Sequence, residues 1–248
     1  MTGTIQRKPH HQAPYFAHTA TGDICLNWIE LTASLVLFVF SHSILARGAL
    51  KSGLTKVLGG SGFTIVYSLI SLGLLWWVIL AAGRAPYVEI WPWQEWQAIV
   101  PQIAMVLVCL LIALAIGRPN PFSFGGMNND RYAPENPGIV RLFRHPLLAA
   151  LFLWASAHLL AIGDLAHVLV FGLFAGFSIF GMKIVDRRRQ RLMGQERWTR
   201  LREATLAQPL SSVGGKLPDL VMRMVGAALI YMALLQMHQP LFGVNPLP

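Results

Sequence analysis

The run from Pro146 to Ile162 carries no charged side chain, and it constrains this chain more than any other stretch. It opens on Arg144-His145-Pro146, holds His158 deep inside, and closes on Gly163-Asp164. Only a helix satisfies its own backbone polar groups in lipid, and proline is tolerated in a first helical turn. The run therefore predicts a membrane helix that begins at Pro146. A histidine buried along such a helix is costly unless it has a partner or a task.

Composition agrees: 54% of residues are hydrophobic and only 12% are charged. Soluble domains are about a quarter charged, so the chain reads as all-α, a polytopic membrane helix bundle with little room for a soluble domain. The net charge of +9 does not imply nucleic acid, because most basic residues lie in connections beside apolar runs, where positive-inside bias accounts for them. Cys25 and Cys109 have no CxxC spacing and read as small apolar residues.

Six spans are predicted, at about 24–46, 63–82, 99–116, 146–162, 165–185 and 220–237, within a bundle of residues 24–238. Residues 1–23, with His10, His11 and His18, form a polar N-terminal tail, and 239–248 a C-terminal one. No apolar stretch in the first twenty residues suggests a signal peptide. In span one, Asn27, Glu30, Ser34 and Ser41 share a side, with His42 at its edge. Such a stripe faces the bundle interior, either for hydrogen bonding between helices or toward a substrate. Arg47–Gly60 is a basic, Gly-rich connection. Gly83–Gln97, with Tyr87, Trp91, Trp93 and Trp96, reads as an aromatic belt at headgroup level. Arg118–Phe143 is rich in Pro, Gly and Asn, and long irregular loops are commonly lids or binding segments. The Gly163-Asp164 turn makes spans four and five an antiparallel hairpin. Lys183–Lys216 is strongly basic and suits an amphipathic helix touching anionic lipid.

Lys and Arg crowd the connections after spans one, three and five, whereas the opposite side has only Arg7, Lys8 and Arg84. The rule places both termini outside and Lys183–Lys216 in the cytoplasm.

Three histidines matter: His42, His145 and His158. The charge of Arg144 disfavours a second cation beside it and predicts a neutral His145. An interfacial Arg-His pair touching headgroups is the plainer alternative, and His158 reads equally well as a hydrogen-bonder between helices. No GxSxG, HExxH, phosphate loop or GxGxxG is present. Imidazoles on facing membrane helices can, however, clamp a haem iron in an apolar slot.

Ser41-His42-Ser43, Gly62-Phe63, Tyr67-Ser68, Arg144-His145-Pro146, Leu153-Trp154-Ala155, Ala157-His158-Leu159-Leu160, Gly163-Asp164, Phe171-Gly172, Gly181 and Asp186-Arg187-Arg188 together resemble the NnrU family of bacterial membrane proteins. That family is linked to nitrite and nitric oxide metabolism in denitrifiers. The plant 15-cis-zeta-carotene isomerase, a haem b membrane enzyme, is similar over the same domain. The resemblance implies a bacterial inner membrane with both termini periplasmic, and haem b with His42 and His158 as the iron ligands and Arg144, His145 and Trp154 at the cofactor; His145, at a depth similar to that of His42, is the substitute ligand. It also implies either redox chemistry or isomerisation of a lipophilic polyene. The isomerase's cysteine beside its second ligand corresponds to Ala155, so no thiolate can replace that ligand, and the usual Asn before Gly-Asp is Ile162. Two rival expectations remain. One is a non-catalytic assembly factor docking on a respiratory membrane partner. The other is a membrane methyltransferase of the isoprenylcysteine carboxyl type, disfavoured because Asp186-Arg187 stands where those enzymes carry paired glutamates. Membrane lipid is the expected surrounding partner in every case.

Overall fold

The computed structural model describes residues 21–44 and 48–247. The expected tail up to residue 20, the last residues of span one at 45–46, and Arg47 lie outside the described residues. The described residues are all-α, forming α1 (Thr21–Ile44), α2 (Gly48–Arg84), α3 (Ile99–Ala115), α4 (Pro146–Ala161), α5 (Leu165–Met193), α6 (Gln195–Leu206) and α7 (Leu217–Phe242), with four short 3-10 turns. Among the described residues, five helices are long and apolar enough to cross a membrane. The fourth expected span, α4, is apolar but has 16 residues. At 1.5 Å per residue it is about 24 Å long, short of the roughly 30 Å hydrocarbon core.

The chain divides into two compact units, residues 1–87 and 88–248. In the first, α1 buries Leu31, Ser34 and Phe38 at helical spacing, and α2 buries Phe63, Val78, Ala81 and Ala82. The Glu30 carboxylate of the α1 stripe is satisfied within this unit: Trp77 Nε1 donates to it at 2.9 Å, and Arg84 Nε donates to it at 3.1 Å. Helix α2 differs from expectation, because the predicted connection up to Gly60 is itself helical from Gly48. Gly59 (φ 72, ψ 170) interrupts it in a conformation that favours glycine, so a basic helical segment precedes the apolar one.

In the second unit α3 packs on α4 and α7, and α4 packs on α5. Val108, Leu111 and Ala115 of α3 form a core with Ile139 and Ala150. Small buried residues on α4 (Ala150, Ala155, Ala157) allow close helix approach. Helix α7, by contrast, buries only Ala227 and leaves Met222 and Leu229 at 76% and 66% exposure, a surface suited to lipid. It also reaches Phe242, beyond the expected end near Met237, before Gly243 closes it with φ 71.

The hairpin turn is as expected, and it has a tether that composition did not reveal. Ile90 and Trp91 donate to Gly163 O at 2.7 and 3.2 Å, Leu165 donates to Val88 O at 2.8 Å, and Gln97 Nε2 donates to Leu160 O at 2.7 Å. The aromatic connection is thus strapped across the end of the α4–α5 hairpin. A Cβ on Gly163 would stand 2.0 Å from Trp91 O, so only glycine fits there.

Candidate functional site

Two side-chain clusters lie on α4. The first forms at its start, where Pro146 occupies the first turn and His145 is the residue before it. His145 is 4% exposed, and both its ring nitrogens are engaged: Nε2 with Asp186 Oδ1 at 2.9 Å, and Nδ1 with Ser123 Oγ at 3.0 Å. A carboxylate only accepts, so Nε2 carries the proton and Nδ1 accepts from the serine hydroxyl. Arg144 pairs with the other Asp186 oxygen at 2.5 Å, and Arg189 donates to Ser123 O at 2.5 Å. Burial pushes the imidazole pKa down, Asp186 pulls it back, and Arg144 and Arg202 lower it further. Desolvation is therefore the main reason for the depressed pKa, with the Arg144 charge invoked from sequence acting in the same direction but more weakly.

This Ser-His-Asp set has the composition of a hydrolytic triad, but Ser123 is fully buried. The set is a brace. Asn120 donates to Arg144 O at 3.1 Å, Phe122 N donates to Asn120 at 3.1 Å, and Tyr132 and Thr205 share a hydrogen bond of 2.8 Å. The Pro/Gly/Asn-rich connection is pinned to α4, α5 and α6, not shaped as a loose lid.

Helix α6 completes this end. Arg202 donates to Val140 O at 3.1 Å, and its guanidinium lies 5.9 Å from the Phe122 ring centre. Arg144 lies 5.5 Å from the Trp198 ring centre, and Trp198 meets Phe122 edge-on at 6.0 Å. Lys183–Lys216 is therefore not one surface helix: it comprises the last turns of α5, a break at Gly194 (φ 85), α6, and a turn leading to α7. Asp186, Ser123, Trp198 and Arg202 were not singled out from sequence as site residues. The available signal was Asp186, an acid among basic residues just past the fifth apolar run.

The second cluster surrounds His158. Its Nδ1 lies 2.9 Å from Trp154 O, one turn back, and its ring sits 5.4 Å from Trp154 and 5.2 Å from Phe171. Phe174 closes on Trp154 at 5.8 Å. A carbonyl accepts only, so Nδ1 holds the proton of the neutral ring and Nε2 keeps the lone pair. Of the sequence-predicted residues, the structure brings Trp154 to His158 and Arg144 to His145. It sets the two pairs far apart, His145 and His158 being separated by about 20 Å of helix.

His42 belongs to the first unit, in the last turn of α1. Its Nδ1 lies 3.2 Å from Phe38 O, and its ring is 4.6 Å from Phe38 and 5.6 Å from Tyr67. The local device is the one seen at His158: an imidazole oriented by the carbonyl one turn back, among aromatic rings. Among the described residues no group of three or more His, Cys, Asp or Glu side chains is arranged to hold a metal ion. Haem makes a different demand, one imidazole on each face of a flat apolar ring. The aromatic setting and proton placement at His158 fit one such ligand, whereas His145 has no ring nitrogen to spare.

The family model described as NnrU protein matches residues 30–246. The chain belongs to the NnrU family. No curated protein and no solved structure matches it. Within this NnrU protein the matched region includes the His42 and His158 settings and the whole His145–Asp186 brace, so both α4 clusters lie inside the family domain.

Proposed function

We propose that this NnrU-family membrane protein binds haem b, with His158 as an axial ligand. The observation that supports this best is the His158 ring itself: Nδ1–H is committed to Trp154 O, and the ring lies against Trp154 and Phe171. A ligating histidine whose other ring N–H is held by a carbonyl has its tautomer and orientation fixed before the metal arrives. The resemblance would make His42 the second iron ligand. Ala155 offers no thiolate, so histidine ligation is retained. Haem bound in this way supplies an iron centre whose potential is set by its ligands and by their hydrogen bonds. The residues of this chain would orient each ring through the carbonyl one turn back, shield it with aromatic faces, and keep His145 engaged elsewhere. In this reading the protein serves nitrite or nitric oxide metabolism through redox chemistry, or isomerises a lipophilic polyene.

The test is haem content. Protein purified from haem-replete cells is expected to show a Soret band and about one non-covalent haem b per chain by pyridine haemochromogen assay, since no Cys-x-x-Cys-His sequence provides covalent attachment. Protein with no Soret band overturns the cofactor reading, and a docking factor for a respiratory membrane partner takes its place. Binding of S-adenosylmethionine by haem-free protein would support the methyltransferase instead.

A further inference from the structure

The brace at the start of α4 carries more positive charge than it neutralises. Arg144 is paired with Asp186. Arg141, Arg189 and Arg202, all half-buried, make no ion pair among the described residues. Each rests on a backbone carbonyl instead, of Gln208, Ser123 and Val140 respectively. A carbonyl dipole solvates a guanidinium without cancelling its charge. The consequence shows at Arg202: burial, with the Arg144 and Arg141 charges against it, holds its pKa below the ordinary arginine value. A second, independent deficit lies beside it. The Trp198 indole N–H, one helical turn from Arg202 and under Arg144, is sealed from solvent and meets no acceptor among the described residues. A buried donor left unsatisfied costs about 1–3 kcal/mol.

One species answers both deficits, an oxyanion with several acceptor atoms and more than one negative charge. Guanidinium forks match phosphate oxygens in geometry, and an indole N–H donates to one without altering its charge. We propose that Arg144, Trp198 and Arg202, at the junction of α4 with α6, form a binding site for a phosphate-bearing anion. The cluster lies at the start of the apolar helix α4, so the phosphate can belong to a lipid headgroup or to a soluble molecule. The site is independent of haem.

The experiment uses the full chain in detergent. Thermal unfolding is followed with inorganic phosphate against chloride at equal ionic strength. In a second arm, the protein is reconstituted in nanodiscs of phosphatidylglycerol or of phosphatidylcholine, and retained lipid is counted by native mass spectrometry. Phosphate stabilisation, preferential retention of phosphatidylglycerol, or both are expected. Retention of the lipid alone assigns the site to a headgroup, and a response to phosphate alone assigns it to a soluble ligand. Arg202→Gln should weaken the response by about tenfold or more, as expected when a charge-assisted contact is lost. Trp198→Phe keeps the ring under Arg144 and removes only the N–H, so it tests the site even if Arg202→Gln folds poorly, and a few-fold loss is expected. Arg187→Gln, on the exposed side of α5, should bind like wild type. The proposal is overturned if neither phosphate nor phosphatidylglycerol exceeds its control, or if Trp198→Phe and folded Arg202→Gln both respond like wild type.

Discussion

Replacing Gly163 with Ala should be among the most damaging single-methyl changes this protein can suffer. The new Cβ would stand 2.0 Å from Trp91 O, 2.8 Å from Trp91 Cδ1 and 3.0 Å from Trp91 Nε1. The first contact is with backbone, so no side-chain rotation relieves it. Restoring an ordinary separation of 3.4 Å means moving the aromatic connection by about 1.4 Å, the difference between the two distances. Such a shift stretches the Ile90 and Trp91 bonds to Gly163 O and the Leu165 bond to Val88 O beyond hydrogen-bonding range. Three backbone bonds at about 1 kcal/mol net each give a loss of roughly 3 kcal/mol. This matches the upper end of the roughly 1–3 kcal/mol seen for overpacking. Reversible unfolding in mixed micelles, followed by tryptophan fluorescence, measures it directly. A Gly163→Ala protein within about 0.5 kcal/mol of wild type, the range of a neutral surface change, would refute the strap.

Two further perturbations probe neighbouring parts of the account. Asp164 caps α5 by accepting from His167 N at 3.2 Å and pairs with the His167 ring at 2.7 Å. Burial alone would raise its carboxyl pKa, but the His167 ring and the amides of residues 166 and 167 hold it below the ordinary value. Its contribution is therefore full above the unfolded-state pKa of about 3.9 and is lost as pH falls below it, and Asp164→Ala should cost about 1 kcal/mol near neutrality. Equal stability of Asp164→Ala and wild type at neutral pH would dismiss the cap. The folded pKa of His145 is depressed chiefly by burial, so its stabilising effect is complete above the unfolded value of about 6.5 and fades as pH falls below that. Wild type should lose stability from about pH 6.5 downward, and His145→Gln should flatten that slope. An unchanged slope would mean that another group titrates there.

The spans were legible because lipid imposes a requirement that sequence displays openly: long apolar runs with basic connections on one side. Gly163-Asp164 announced the hairpin because a tight turn followed by an acidic cap has its own chemistry. Three things stayed hidden. The helix through Lys51 and Lys56 was masked by glycines that read as loop, although only Gly59 departs from helical geometry. The need for glycine at 163 comes from the carbonyl of Trp91, seventy-two residues away in sequence, and no local pattern encodes that approach. His145 stood out, but its counter-charge Asp186 lies forty-one residues on, in a segment whose basic character concealed it. His158 and His42 were legible as costly polar groups in apolar helices. Their shared orientation by a carbonyl one turn back was not, because it depends on rotamers.

Absorbance spectra of His158→Ala and His145→Ala beside wild type, purified in parallel from haem-replete cells, test the central claim most directly. A Soret band is expected in wild type and in folded His145→Ala, because both His145 ring nitrogens are already spent on Ser123 and Asp186. Loss or marked weakening of the band is expected in His158→Ala. A band that vanishes in folded His145→Ala and persists in His158→Ala would contradict that claim.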